Sequence, residues 1–303
     1  MIAASAPLEP DVAALLAAMR AAHRPTFESL GVAEARAMYL AGRDTVQLRS
    51  VPVFAVEACA FGEVPARRYR FGPAARGTIL FVHGGGYVIG DLDTHDSICR
   101  HLAVASESDV VAIDYRRAPE HRFPAAFIDS FAAYSALSAA ETPLAIAGDS
   151  AGAALALAVA LAARDAGQPP PRALAFFYPV TDIGTEAPSY AKVRDVPIGA
   201  ATMRWFWNHY LDDPVSAVDW RASPLRATSL GGLPPMFVTT AGHDPLCDEG
   251  LALVARVRTE GGSVIHRHLP GQIHGYLTLG RLTAEAERSI VAAGAFLHEQ
   301  LSR

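Results

Sequence analysis

Ser150 stands at the centre of Gly148-Asp149-Ser150-Ala151-Gly152, a G-x-S-x-G pentapeptide. Alone, that pattern is common. Here an apolar run, Leu144–Ala147, precedes it and an Ala-rich apolar stretch, Ala151–Ala166, follows it, which places the serine on a predicted strand-to-helix turn. Such a turn holds the serine in a strained backbone with its oxygen exposed. Glycines two residues before and after it remove Cβ atoms that would collide, and the helix N-terminus favours developing negative charge. The chemistry suggested is acyl transfer through a serine nucleophile. The plainer reading makes Ser150 only the N-cap of that helix, and the remaining motifs outweigh it.

His83-Gly84-Gly85-Gly86 follows directly on the apolar run Thr78–Val82. Three successive glycines bare their backbone N–H groups. Together with the N–H of Ala151, the residue after the serine, they can form an oxyanion hole. A phosphate cradle is the alternative, but it requires G-x-G-x-x-G or a Lys after the last glycine, and neither occurs. His83 itself reads as a loop-orienting hydrogen bonder rather than a base.

A serine on this kind of turn is followed in sequence by an acid and then a base, each on a loop after a strand. Asp244 lies just past the predicted strand Met236–Thr240, whereas Asp248 and Glu249 open the next helix, where acidic residues are expected anyway. Of the downstream histidines, His266 and His268 alternate along a predicted strand and His298 falls on the terminal helix. His274, followed by Gly275, is left as the base. An H-x-H metal pair at His266 and His268 lacks a third ligand at convincing spacing, so no metal is expected. His95 and His101 read as helix residues, and His243 as a residue positioned by its turn.

The elements that must hold these groups alternate along the chain. Val53–Ala60 and Ala66–Phe71 read as an antiparallel pair around Gly62 and Pro65. Thr78–Val82, Val110–Asp114, Leu144–Ala147, Leu174–Tyr178, Met236–Thr240 and Val264–Leu269 are short apolar runs, and most lack in/out alternation, as strands covered on both faces should. Helical stretches lie between or beyond them: Thr94–Ser106 after a candidate N-cap at Asp93, Pro124–Ser138 with Pro in its first turn, Ala151–Ala166, Asp248–Glu260 and Ala284–Leu301. The class predicted is α/β, a mostly parallel sheet flanked by helices. Two segments break the rhythm: residues 1–45, with helix-like Pro10–Ala22 and Val32–Ala41, and residues 183–222, with an aromatic cluster at Trp205, Phe206, Trp207 and Tyr210. Both are candidates for a lid, and the aromatic cluster either lines a pocket or anchors that lid.

Composition narrows the partners. Apolar residues make up 51% of the 303 and charged ones 19%, a balance suited to a thick core. A formal charge of -5 carries no basic excess for nucleic acid. Cys59, Cys99 and Cys247 are scattered and odd in number, which reads as small buried residues in a reducing compartment. Neither a signal-peptide pattern nor an apolar run long enough to span a membrane is apparent, so a cytoplasmic protein is expected.

These blocks together resemble the hormone-sensitive-lipase-like, or family IV, bacterial esterases. The resemblance runs from about the first strand to the C-terminus. It rests on His83-Gly84-Gly85-Gly86-Tyr87, Tyr115-Arg116-Arg117-Ala118-Pro119-Glu120-His121 with Phe123-Pro124-Ala125-Ala126, Gly148–Gly152, Tyr178-Pro179, Asp244-Pro245-Leu246-Cys247-Asp248-Glu249-Gly250 and His274-Gly275-Tyr276. It implies an α/β-hydrolase fold: an eight-stranded, mostly parallel sheet with a helical cap, its N-terminal part at 1–45 and its insertion at about 183–222, on a catalytic domain of 46–303. It implies a Ser150–His274–Asp244 triad and oxyanion donors at Gly85, Gly86 and Ala151, with Gly84 mainly shaping the turn. The activity implied is cofactor-free hydrolysis of short- to medium-chain acyl esters, a small-molecule substrate, by a protein compatible with a homodimer. An amidase, lactonase or dedicated deacetylase would use the same triad, and a non-catalytic small-molecule receptor on this fold would lack the base. Two departures stand out. Ala153 replaces a frequent glycine, and Tyr276 replaces a commoner Phe, which is expected to bring a hydroxyl near the site.

Overall fold

A computed structural model describes residues 6–140 and 142–303, so the first five residues of the proposed N-terminal cap segment lie outside the described residues. The chain forms β1 (Ala55–Phe61), β2 (Val64–Arg70), β3 (Thr78–Val82), β4 (Asp109–Ile113), β5 (Leu144–Asp149), β6 (Leu174–Phe177), β7 (Met236–His243) and β8 (Val264–Ile273). They make one eight-stranded sheet in the order β1-β2-β4-β3-β5-β6-β7-β8. β2 pairs antiparallel with both β1 and β4, and all other neighbours are parallel.

The helices are α1 (Pro10–Ala21), α2 (Val32–Ala41), α3 (Arg43–Val46), α4 (Asp96–Ser106), α5 (Ala125–Ser138), α6 (Ala151–Asp165), α7 (Pro188–Lys192), α8 (Ala200–Tyr210), α9 (Cys247–Thr259) and α10 (Glu285–Leu301). α4 and α10 cover one face of the sheet, and α5, α6 and α9 the other. The central strands therefore send alternate side chains into two cores. Leu80 and Val82 of β3 join the α6 side while Ile79 and Phe81 join the α10 side, and β6 divides in the same way between Leu174/Phe176 and Ala175/Phe177. Both faces being dry, these strands carry no polar alternation.

Some boundaries differ from expectation. α4 starts at Asp96, with His95 in the N-cap position, because Asp91 rather than Asp93 receives the local backbone N–H groups, those of Asp93 and Thr94. Asp93 instead pairs with Arg67 at 2.9 Å. Pro124 occupies the N-cap position of α5, not its first turn. β5, β7 and β8 each run past their predicted ends. Cys99 and Cys247 are buried, whereas Cys59 is only half-buried. No helix among the described residues is long and apolar enough to cross a membrane.

α6 is buried around nearly its whole circumference, which explains its alanines: larger residues would hold it off the sheet. The closest approach is at Gly152. A Cβ there would lie 2.0 Å from the Val82 carbonyl oxygen and 2.5 Å from that of His83. Gly152→Ala is therefore expected to destabilise the fold by about 2 kcal/mol or more through overpacking against backbone, read as a drop of several degrees in Tm.

At the start of α9, Glu249 is buried with its Oε1 accepting the Thr181 N–H at 2.9 Å, and burial pushes its pKa well above the usual carboxyl value. The unfolded chain ionises Glu249 at ordinary acidic pH while the folded chain keeps it protonated, so the fold loses stability as pH rises above the unfolded pKa. Glu249→Gln is expected to raise Tm at pH 8 and to make little difference near pH 4, as scanning calorimetry at the two pH values would record.

Candidate active site

Four of the parallel strands end at one edge of the sheet, and the candidate serine, acid, base and glycine loop each follow one of those ends directly. His83–Gly86 follow β3, Ser150 follows β5, Asp244 follows β7 and His274 follows β8. The rim outside the carboxyl ends of parallel strands is where this architecture gathers its chemistry.

Ser150 has φ 52° and ψ -121°, the strained turn expected. It holds the N-cap position of α6, yet its side chain makes no cap bond. Its Oγ–H instead donates to His274 Nε2 at 2.9 Å. His274 Nδ1–H donates to Asp244 Oδ2 at 2.8 Å, and Asp244 Oδ1 accepts the Leu246 N–H at 2.8 Å. All three side chains are buried. The bond from Asp244 fixes the imidazole tautomer and turns the Nε2 lone pair toward the serine hydroxyl. The Tyr178 ring packs 4.8 Å from the His274 ring, supporting it from one side.

Ser150, His274, Gly85 and Gly86 line one cavity of about 420 Å³. The Gly85 and Gly86 N–H groups have no protein acceptor among the described residues. Gly84 differs, since its N–H donates to Asp149 Oδ1 at 2.8 Å. Ala151 opens α6, so its N–H has no acceptor within the helix.

Other sequence-level candidates fall elsewhere. His83 donates from Nδ1 to the Gly84 carbonyl at 2.8 Å and stacks on Tyr115 with 4.3 Å between ring centroids. Burial, with His95 next, pushes its pKa down to about 3, so the ring stays neutral. His266 Nε2 and His268 Nδ1 both meet Thr240 Oγ1 at 2.9 Å on the outer sheet edge, and no cluster of His, Cys, Asp or Glu among the described residues is placed to hold a metal ion. His243 ends β7 rather than sitting in the turn, and its Nε2 meets the Ala6 carbonyl at 2.8 Å. His101 lies within α4 as expected, but His95 precedes the helix and is buried, with Nε2 3.3 Å from Asp149 Oδ1. The Tyr276 hydroxyl turns away from the cavity to Thr239 Oγ1 and Ser289 Oγ, at 3.0 and 2.9 Å, because those partners lie beneath the sheet edge.

Asp149 and His95 were missed as a pair. Asp149 occupies an x position of the pentapeptide, and His95 lies more than fifty residues earlier, where it reads only as a helix residue. Burial alone would raise the Asp149 carboxyl, but His95 and the Gly84 N–H outweigh it and hold its pKa below the usual range. The one sequence signal was charge: an acidic residue between an apolar strand and an apolar helix demands a partner.

Much of the remaining wall comes from residues 15–47 and 195–206, with Ile89, Asp149, Tyr178 and Leu279 among the rest. Leu15, Leu16 and Val12 of α1 pack on Ile273, the residue before His274. Phe206 of α8 lines the cavity and approaches Phe27 at 6.2 Å, while Trp207 is buried against Tyr190 at 5.7 Å. The aromatic cluster thus divides between lining and anchoring.

A family model described as the alpha/beta hydrolase fold matches residues 79–278. Carboxylic ester hydrolase LipN of Mycobacterium tuberculosis is 38% identical over 260 residues, 80% of this chain and 68% of that protein. An ethyl acetate hydrolase of Pseudomonas putida is 35% identical over 252 residues, 78% of this chain and 79% of its own. Among solved structures, an ester-hydrolase from the metagenome of Lake Arreo, complexed with a bipyridine phosphonate derivative, superposes with a TM-score of 0.93 at 37% identity, covering 98% of this chain and 100% of that one. With this fold and these relatives, the chain belongs to the α/β-hydrolase family, in its hormone-sensitive-lipase-like branch, and is a carboxylic ester hydrolase.

Proposed function

We propose that Ser150, His274 and Asp244 are the catalytic triad of this esterase, and that Gly85, Gly86 and Ala151 supply its oxyanion N–H groups. The observation that carries this reading is the unbroken relay from Ser150 Oγ to His274 Nε2 at 2.9 Å and from His274 Nδ1 to Asp244 Oδ2 at 2.8 Å. His274 takes the hydroxyl proton as Ser150 attacks the ester carbonyl, and the carbonyl oxygen gathers negative charge against the free N–H groups. His274 then protonates the departing alcohol. A water deprotonated by His274 attacks the acyl-enzyme and releases the acid, while Asp244 stabilises the imidazolium in both halves. This chemistry needs no metal or organic cofactor.

Residues up to about 45 and the insertion at about 183–222 form, in this reading, a cap over the catalytic domain. Each lines the cavity, and the two are tied to each other where Thr202 Oγ1 donates to Glu28 Oε2 at 2.6 Å. The substrates are short- to medium-chain acyl esters. The cavity walls are largely apolar, with Leu15, Leu16, Met19, Ile198 and Leu279 among them, and about 420 Å³ holds a small ester in full. The ethyl acetate hydrolase among the relatives supports the short end of that range. A cytoplasmic protein without nucleic-acid partners, in keeping with the charge of -5, and compatible with a homodimer completes the proposal.

Ser150→Ala is expected to lower kcat on an activated acetyl ester by at least about 10⁴-fold. A phosphonate ester should add its mass to the peptide containing Ser150. Label on another residue, or wild-type turnover in the variant, would sink the triad. Along a series of nitrophenyl esters, kcat/KM is expected to peak between acetyl and hexanoyl and to fall at least about tenfold by dodecanoyl, as the chain outgrows the cavity.

A further inference from the structure

The oxyanion loop is held by side chains that the triad does not include. Each peptide group has two ends, a carbonyl oxygen and an N–H, and fixing one end sets the plane of the whole group. In the peptide joining His83 to Gly84, the oxygen accepts the Tyr115 hydroxyl at 2.9 Å and the N–H donates to Asp149 Oδ1 at 2.8 Å. In the next peptide, joining Gly84 to Gly85, the oxygen accepts His83 Nδ1–H at 2.8 Å. Its other end is the Gly85 N–H, which has no protein acceptor among the described residues. Three bonds therefore lock two consecutive peptides and leave one donor free beside Ser150.

Asp149 is built for this position. It precedes the nucleophile at the end of β5, is buried, and forms part of the cavity wall. Gly84 lets it approach: a Cβ on residue 84 would lie 2.5 Å from Asp149 Oδ2 and 2.9 Å from its Cγ. His95 Nε2 lies 3.3 Å from Oδ1 and the Tyr178 hydroxyl 3.4 Å from Oδ2, so the carboxylate is held on both oxygens. A bare carboxylate this close to a developing oxyanion would oppose it, and the Gly84 N–H and the Tyr178 hydroxyl temper that charge by hydrogen bonding to its two oxygens.

We propose that Asp149 and Tyr115 are positioning residues that clamp the His83–Gly84 peptide and thereby aim the Gly85 N–H at the oxyanion. Neither hydrogen-bonds to a triad side chain, and each meets the glycine loop through the His83–Gly84 peptide. Their effect enters only where charge accumulates on the carbonyl oxygen, so it belongs to the transition state and not to substrate binding. The inference rests on the proposed oxyanion role of Gly85.

The test compares Asp149→Ala, Asp149→Asn and Tyr115→Phe in the full chain, with an acetyl ester as substrate and an aryl trifluoromethyl ketone as the tetrahedral analogue. Asp149→Ala is expected to lower kcat by about 10²-fold, the scale of losing one oxyanion donor, with KM within about twofold. Affinity for the ketone should fall in step with kcat. Asp149→Asn keeps an acceptor for the Gly84 N–H and should recover kcat to within about fivefold of the parent. Tyr115→Phe, the mildest change, should lower kcat about three- to tenfold with the same unchanged KM, which keeps the idea testable if Asp149→Ala does not fold. Unaltered kcat in Asp149→Ala or Tyr115→Phe overturns the clamp. So does an Asn variant as slow as the Ala one, or ketone affinity that fails to follow kcat. Phosphonate labelling of Ser150 in the parent separates the two readings: without it the triad proposal fails, whereas labelling with indifferent variants removes the clamp alone.

Discussion

The backbone of Ser150 is the constraint on which the remaining geometry depends. At φ 52° and ψ -121° an L-residue is strained, and it stays there only because its neighbours leave no alternative. β5 fixes the chain on one side and α6 on the other. Its own N–H is tied to the Phe177 carbonyl at 2.9 Å. Gly152 then allows α6 to begin against the end of β3, where a Cβ would meet the Val82 oxygen at 2.0 Å. That contact is double-acting. It presses the helix that carries the Ala151 N–H against the strand that carries the glycine loop, so one close packing contact sets where Ser150 and the proposed donors stand relative to one another.

Parallel topology supplies the other half of the argument. Strands joined by crossovers deliver their C-terminal ends to a single edge, and residues distant in sequence become neighbours without a long loop. Asp244 and His274 are thirty residues apart, and His274 and Ser150 are separated by 124, yet both pairs meet at hydrogen-bond distance. Because each stands one residue past a strand end, its freedom is limited by the ladder behind it. The site is therefore rigid for the same reason that the core is dry.

Legibility in the sequence followed burial. The inner strands were apparent because both of their faces are apolar, and Thr78–Val82 was placed to the residue. The strand ends were not, because β5 and β7 finish in Asp149 and His243 and β8 runs on through Pro270-Gly271 to Ile273, and composition assigns such residues to turns. Chain order and loop position alone single out Ser150, Asp244 and His274, the three side chains that meet at hydrogen-bond distance, since each rival had a visible reason to lie elsewhere. The clamp around Gly84 could not be read in this way. It joins residues 32, 65 and fewer positions apart through single side chains, and no periodicity records such contacts. Tyr276 shows the converse: a Tyr in place of the commoner Phe predicts a hydroxyl near the site, but Thr239 and Ser289 offer it partners beneath the site.

The walls and the chemistry are held by different parts of the chain, and this separates two kinds of free energy. The proposed nucleophile, base, acid and oxyanion donors stand on strand ends and a helix start, whereas much of the apolar wall comes from α1, the segment after it and α8. Contacts from the walls reach substrate and transition state alike, so changes there alter which ester binds and how tightly. Contacts from the strand ends strengthen only as charge moves, so changes there alter the rate of the chemical step. The two meet through several contacts: Leu15 and Leu16 of α1 on Ile273, Arg36 Nε of α2 donating to the Val88 carbonyl at 2.8 Å, Tyr210 of α8 stacked on Tyr87 at 3.7 Å, and Phe206 beside the glycine loop. Substitution of cavity-wall residues such as Met19 or Ile198 of the proposed cap can therefore reshape specificity while the Ser150 turn, locked by β3, β5 and α6, keeps its conformation.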